Sequence, residues 1–593
     1  MNNFFDYPLD ASTLLRKKKS LKRELLKQEG FLSKKIAILG GSTTNELKNI
    51  LELFLLNEGI QPEFYESEYN KFYEDIMFGA ELREFNPDII YMHTTYRNII
   101  NLPEITDTPE VVTEKLGKEF DYYQSLWAKI SADFNCTIIQ NNFDFPRNRS
   151  LGNLDTVKHF GITNFINRLN LKFADYAQSN SQLLINDINY LSSWIGLEKW
   201  HDLSMWFSYK YAVSYEAIPS LAKNISMIIK SIYGKTQKCL VLDLDNTMWG
   251  GIVGDDGVDN IKIGKETPVA EAYTGFQEYV KELKARGITL AIASKNDHEN
   301  AIAGLNHPEM VLKEADFTNI KANWDPKSLN IEKISSEINI GLDSLVFIDD
   351  NPTEREIVSS QLPVVNVPNV GETVTEFIDH IDRNGYFESI DISNDDLKRN
   401  KYYDENKKRQ EVQSKFETYA DFLVSLDMVA DIQGFKPTYL ERITQLTNKT
   451  NQFNLTTKRY TINEIEELSK SVSNICLYGR LKDKFGDNGL VSVVIGSIKE
   501  DVLNLDLWLM SCRVLKRNLE YAMLDQLVEE CKKRNIRKID GWYYKSPKNN
   551  MVKDHYKNLG FQLVETNGED TKWELDVLSL TEKKNNIIML GEY

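Results

Sequence analysis

The tightest constraint on how this chain can fold is one stretch, Lys238-Cys239-Leu240-Val241-Leu242-Asp243-Leu244-Asp245-Asn246-Thr247. A short apolar run that stops abruptly at polar residues reads as a strand buried on both faces, as in a parallel sheet covered by helices. Such sheets collect their ligands beyond the carboxyl ends of the strands, where Asp243 and Asp245 fall. Side chains alternate along a strand, so residues two apart share a face, and both carboxylates can address one substrate. One carboxylate can attack phosphorus while the other donates a proton to the leaving group and later activates water.

A carboxylate nucleophile and a phosphoryl dianion repel each other, so such a site needs positive charge. Three later pieces of sequence supply it. The apolar run from Ile288 ends in Ser294, a hydroxyl donor that can join Thr247 in holding phosphate. Trp324-Asp325-Pro326-Lys327 brings a cation, and Val346-Phe347-Ile348 runs into Asp349-Asp350. Asp243, Asp245, Asp349 and Asp350 together suit Mg²⁺, a hard cation that takes one or two carboxylates plus water and substrate oxygens. Each piece alone is weak. Their order, strand-DxDxT, strand-Ser, Lys, strand-DD, is similar to the four motifs of the haloacid dehalogenase superfamily.

The resemblance narrows further. Asp243 to Gly251 with Gly254-Asp255-Asp256-Gly257, Ala293-Ser294-Lys295-Asn296, Asn323 to Lys327 and Phe347 to Arg355 resemble the FkbH-like subfamily. So do Leu446 to Asn454 and Trp508 to Leu515, so the likeness spans about residues 35–575. It implies an enzyme that takes a glyceryl unit from 1,3-bisphosphoglycerate, removes phosphate, and loads the acyl group onto an acyl carrier protein. It also implies an acyl-thioester relay. Cys512 is the leading thiol for that step because a thiolate is the suitable nucleophile; Cys239, inside an apolar strand, is the rival, and a relay without any catalytic cysteine is the third alternative.

Three segments are expected after an N-terminal helical stretch at 1–34. Residues 35–232 alternate strands such as Lys35–Leu39 with helices, and they resemble an SGNH-hydrolase α/β fold. Ser42 takes the nucleophile's place there, but the Asp-x-x-His pair is missing and only Trp200-His201-Asp202 occurs, so a scaffold or docking role is expected. His93 and Asn142 are too isolated to assign. Residues 233–390 form the Rossmann-like dehalogenase-type domain. The short span between Asp243 and Ser294 leaves room only for a minimal cap, which suits a bulky, tethered substrate such as a phosphopantetheine arm. The charged stretch 391–415 is expected to be a linker.

Residues 416–593 resemble an α+β GNAT-like acyltransferase domain. Arg513, Lys516 and Arg517 would meet a phosphopantetheine phosphate before a helix N-terminus. Lys516 and Asn518 stand where that fold's phosphate loop has glycines, and Tyr556 stands where it has a general acid, with His555 beside it.

Composition sets outer limits. The formal charge of −17, from 71 basic and 88 acidic residues, argues against nucleic acid as a partner. Five scattered cysteines argue against a disulfide framework or zinc knuckle. No secretory leader or span-length apolar run is evident, so a cytoplasmic protein without membrane insertion is expected. The competing reading is a Mg²⁺ phosphatase of a small metabolite whose flanking domains are not catalytic.

Overall fold

The computed structural model describes residues 4–413, 415–546 and 548–593. Residues 1–3 of the N-terminal stretch, Ser414 at the end of the charged stretch, and Pro547 lie outside the described residues. The chain divides into two compact units, Met1–Ile232 with Thr461–Glu464, and Tyr233–Tyr460 with Ile465–Tyr593. Among the described residues no helix is long and apolar enough to cross a membrane.

The first unit is built on strands β1 (Leu32–Gly40), β2 (Ile60–Glu66), β3 (Ile89–His93), β4 (Thr137–Asn141) and β5 (Leu183–Asn186). All pair in parallel, in the order β2-β1-β3-β4-β5. That is a doubly wound order, in which the chain leaves the sheet centre first to one side and then to the other. Helices Asn45–Asn57 and Ile218–Ile232 pack on each other, as do Pro109–Asp133 and Ile162–Gln178. The N-terminal stretch forms the helix Ala11–Leu25, capped by Asp10, whose carboxylate accepts the Thr13 N–H at 2.9 Å.

The second unit opens with β6 (Cys239–Leu242), β7 (Thr289–Ser294), β8 (Asn319–Ala322) and β9 (Leu345–Ile348), all parallel in the order β8-β7-β6-β9. Strand β6 is fully buried, and its alternation splits it between two layers. Leu240 and Leu242 join Phe276 and Val280 of the helix Pro268–Ala285, while Cys239 and Val241 join Ile331 and Ile334 of the helix Lys327–Ile338. Leu242 is in register with both Ile292 and Ile348. Strands β6 and β9 therefore finish level while β7 runs two residues further, and Asp243, Ser294 and Asp349 emerge along one edge. Between β6 and β7 the regular elements are a single turn at Val253–Asp256, a short 3-10 turn and the helix Pro268–Ala285, so this connection holds no separate cap domain.

The stretch 391–415, read from its charge as a linker, is a packed helical connection, Asn394–Leu397 followed by Arg399–Gln413. Its charges turn inward to partners: Arg409 forks onto Asp483 with two 2.8 Å hydrogen bonds, and Asp396 accepts from Gln445 at 2.8 Å. Composition alone cannot separate a solvated charge run from one neutralised by a neighbouring domain.

The remaining strands are β10 (Val429–Gly434), β11 (Asn474–Asp483), β12 (Gly486–Lys499), β13 (Val502–Met510), β14 (Lys538–Tyr543), β15 (Gln562–Asn567), β16 (Asp570–Asp576) and β17 (Met589–Leu590). They form one eight-stranded sheet, order β15-β16-β14-β13-β12-β11-β10-β17, with antiparallel pairing except for β13/β14 and β10/β17. The β13/β14 pair holds only from Val502–Lys538 to Leu505–Gly541 and then separates.

Candidate active site

Asp243 leaves β6 with its N–H donated to Ile348 O at 2.9 Å, which fixes the carboxylate beside the end of β9. Lys327 begins its helix and is 4% exposed. Its ammonium donates to Asp349 Oδ2 at 2.6 Å and lies 3.0 Å from Asp243 Oδ1, an ion pair without a well-directed hydrogen bond. Burial opposes the Lys327 charge, but Asp243 and Asp349 outweigh it and raise its pKa. Burial, then repulsion from Asp243, pushes Asp349 up to about 6 despite Lys327, and the same two causes raise Asp350.

The turn after β9 is locked from behind. Arg355 Nη1 donates to both Asp349 O and Asp350 O at 2.7 Å, Asn351 N–H donates to Asp349 Oδ1 at 2.9 Å, and Asp350 N–H donates to Thr247 Oγ at 3.1 Å. Thr247, expected on the phosphate, is thus engaged with Asp350, while Ser294 ends β7 along the same edge, 1% exposed. Oxygens of Asp243, Asp349 and Asp350 all lie within 4.8 Å of one another. Three carboxylates so close, with one lysine bridging two of them, fit a hard divalent cation.

Asp245 is placed differently. Its Oδ1 accepts from Trp249 Nε1 at 2.9 Å and Val253 N–H at 3.0 Å, and its Oδ2 accepts from Asn296 Nδ2 at 2.9 Å. These three donors hold its side chain outside the metal-type cluster, so the expected four-carboxylate set becomes three carboxylates plus one separate acid. Burial raises the Asp245 pKa, as suits a proton donor. Trp249 and Asn296 are contributors that pattern reading missed. Each sits within a stretch quoted for the resemblance, but nothing in the sequence says that it touches Asp245.

Comparisons with known proteins place the chain in a family. The family model of the FkbH N-terminal domain matches residues 35–230. Among solved structures, the N-terminal part of a Bacteroides fragilis protein, containing a phosphatase domain and complexed with Mg, is 31% identical. The match covers 63% of this chain and 99% of that one, at a TM-score of 0.59. The chain belongs to the FkbH-like family. Two N-acetyltransferases also align with a quarter of it. The Escherichia coli ribosomal-protein-S18-alanine enzyme is 12% identical over 94% of its length, and the Thermoplasma acidophilum PaiA enzyme in complex with coenzyme A is 16% identical over 98%. Both have a TM-score of 0.20, and neither bears on what this FkbH-like chain does. A search of curated proteins found no match.

In the third segment the expected residues scatter. Cys512 begins a short turn after β13, half-buried, and its carbonyl accepts from Asn339 Nδ2 at 2.7 Å. Lys238 stands near it: burial lowers the Lys238 pKa, and Cys512 is foremost among the groups that raise it back. Cys239 is fully enclosed, and burial pushes its thiol well up. Arg517 is a structural cation, bonded to Asp483 at 3.0 Å and Asn406 at 2.8 Å. Arg513 pairs with Asp395 at 3.5 Å and lies over the Tyr402 ring. Of the three cations expected on a carrier's phosphate, Lys516 is the exposed one. Lys516 and Asn518 both take positive φ, 65° and 63°, the conformation a glycine would adopt without strain. Tyr556 is 1% exposed, and a Cβ at Gly541 would collide with its ring, so it packs as a core aromatic.

In the first unit, Ser42 is 2% exposed and its hydroxyl lacks a protein partner. Asp202 caps the helix Leu203–Tyr209, and His201 Nε2 donates to Phe145 O at 2.9 Å with Asp144 Oδ2 at 3.7 Å. His93 is enclosed against Tyr91, and burial brings its pKa down to about 4. Asn142 donates to Asp187 at 2.7 Å.

Proposed function

We propose that this chain is a Mg²⁺-dependent phosphatase and acyltransferase that removes phosphate from a phosphoglyceryl-type donor, 1,3-bisphosphoglycerate by resemblance, and loads the glyceryl group onto an acyl carrier protein. The observation that carries the reading is the closed set Asp243–Lys327–Asp349–Asp350 with Asp245 held apart as an acid. Mg²⁺ would be held by Asp243, Asp349 and Asp350 and would supply charge neutralisation for the phosphoryl group.

Asp243 attacks phosphorus, a carboxylate O–P bond forms, and the bond to the leaving oxygen breaks as Asp245 delivers its proton there. Asp245 then takes a proton from water, whose oxygen displaces phosphate and restores Asp243. Lys327, 3.0 Å from the Asp243 carboxylate, orients it, and Ser294 is available to the phosphoryl oxygens. At Cys512 the thiolate would attack the acyl carbon, expel the acyl-bound phosphate, and pass the acyl group to the carrier's thiol.

Lys238 and Asp243 flank β6, about 17 Å apart at the strand rise of ~3.3 Å per residue. A substrate fixed at one end cannot react at the other, which favours a diffusing donor or a swinging carrier arm. The test is phosphate release and carrier loading from 1,3-bisphosphoglycerate with a phosphopantetheinylated acyl carrier protein, with Mg²⁺ and with chelator. Phosphate-ester release that needs Mg²⁺, together with loading of the carrier, supports the reading. Carrier-independent release without any acyl transfer would leave the small-metabolite phosphatase in its place.

A further inference from the structure

Two stretches quoted for the family resemblance, 446–454 and 508–515, play no part in the chemistry at Asp243. They meet where β13 and β14 part. Leu455 N–H donates to Trp508 O at 3.1 Å and Met510 N–H to Phe453 O at 3.0 Å, while on the other side Tyr544 N–H donates to Leu455 O at 2.9 Å. Asn549 Nδ2 adds a 2.9 Å bond to Asn454 O. The chain's own residues 453–455 thus fill the gap between the strands.

Against this segment sits an aromatic cluster around His555. Its imidazole is edge-on to Phe453 at 5.0 Å, Trp508 at 4.8 Å and Tyr556 at 5.7 Å between ring centres. Trp508, Tyr556 and His555 are 0%, 1% and 7% exposed, yet Trp508 Nε1, Tyr556 OH and His555 Nε2 have no hydrogen-bond partner among the described residues. Buried polar atoms are nearly always matched, so three unmatched ones on one ring cluster call for a polar occupant.

Their chemistry narrows what that occupant is. The indole N–H only donates, the phenol both donates and accepts, and a neutral imidazole nitrogen does either according to tautomer. Burial brings His555 down to about 3 with no charged side chain contributing, so the cluster is neutral and would strand a phosphate or carboxylate without a counter-charge. Hydroxyls on a short carbon chain satisfy both the polar atoms and the aromatic walls.

We propose that Trp508, His555 and Tyr556 form a recognition pocket for a small, uncharged, hydroxyl-bearing acyl group. This rests on the proposed function for the identity of that group, the glyceryl chain once its phosphate is gone. The pocket reads the acyl chain through its hydroxyls, whereas Asp243 reads the phosphate.

The test uses full-length protein carrying Cys512→Ala, so that the probes are not consumed. Ligand-observed NMR titrations compare the 2,3-dihydroxypropanoyl and propanoyl thioesters of N-acetylcysteamine. The dihydroxy probe is expected to bind at least about tenfold tighter, because a site built to bond hydroxyls rejects an analogue lacking them. Trp508→Phe and Tyr556→Phe should each cut that preference to about threefold or less while leaving propanoyl affinity unchanged. Equal binding of the two probes, or no binding of either, would assign the three atoms to water and overturn the proposal. So would a preference that survives both substitutions, or free glycerate binding as well as its thioester. Turnover at Asp243 is not part of the readout, so failure of the proposed function and failure of the pocket are distinguishable.

Discussion

The two ends of β6 are built on different principles. At the carboxyl end, parallel strands bring Asp243, Ser294 and Asp349 to one edge, and buried charges compensate one another through Lys327. At the amino end, Lys238 and Cys512 are neighbours because the turn after β13 lies against the end of the helix Lys327–Ile338 within the same compact unit, as the Asn339–Cys512 hydrogen bond records. The first site is a property of one fold; the second is a property of a junction. Under the proposed function, chemistry that needs fixed charge is assigned to the first and chemistry that must admit a moving arm to the second.

The sharpest way to break this contrast is Asp243→Asn, which should lower phosphate-ester hydrolysis at least about 10³-fold with the fold intact, because the nucleophile is lost without a change of shape. Phosphate assays paired with circular dichroism check it. Lys327→Met should cost activity and stability together. It leaves Asp243 and Asp349 facing each other, and removing one partner of a buried pair costs about 3–5 kcal/mol. A urea unfolding midpoint unchanged by the substitution would contradict that role.

Arg517→Ala should destabilise more mildly, by about 1.5 kcal/mol, because Asp483 loses one charged hydrogen bond but keeps both from Arg409. Lys516→Ala should leave the midpoint unmoved and weaken carrier loading by a few fold. The reverse assignment would mean that the phosphate-binding cation has been misplaced.

A smaller effect sharpens the comparison through pH. Asp349 has its folded pKa raised to about 6, so between about pH 4 and pH 6 the folded protein holds a proton that the unfolded chain has released. Its contribution to metal-free stability is therefore present below the ordinary carboxylate range and lost as pH rises through about 6. Mg²⁺ competes with that proton, so the shift in Tm on adding Mg²⁺ should grow from about pH 5 to pH 7.5. A shift independent of pH, or one retained in Asp349→Asn, would remove Asp349 from the cation's ligands.

The first site was legible in sequence because each of its parts ends a strand, and strand ends leave a pattern of apolar run followed by polar residue. The parallel sheets and the short β6–β7 connection followed from the same pattern. What the pattern could not carry was side-chain direction. Asp245 shares a face with Asp243 along an ideal strand, but Asn246 takes a left-handed φ of 55° and the backbone turns, so Trp249, Val253 and Asn296 capture the Asp245 carboxylate. Arg517 and the stretch 391–415 looked solvated or ligand-facing because a charged residue's partner, here Asp483, lies far away in sequence. The meeting of 453–455 with β13 was invisible for the same reason.

The most direct test of the division of labour is intact-protein mass spectrometry after incubation with Mg²⁺ and freshly generated 1,3-bisphosphoglycerate, run on wild type and Cys512→Ala with phosphate-ester hydrolysis followed in parallel. The account predicts a hydroxylamine-labile glyceryl adduct on wild type, no adduct on Cys512→Ala, and hydrolysis in both. An adduct that persists without Cys512, or hydrolysis that disappears with it, would contradict two separate sites at the two ends of β6.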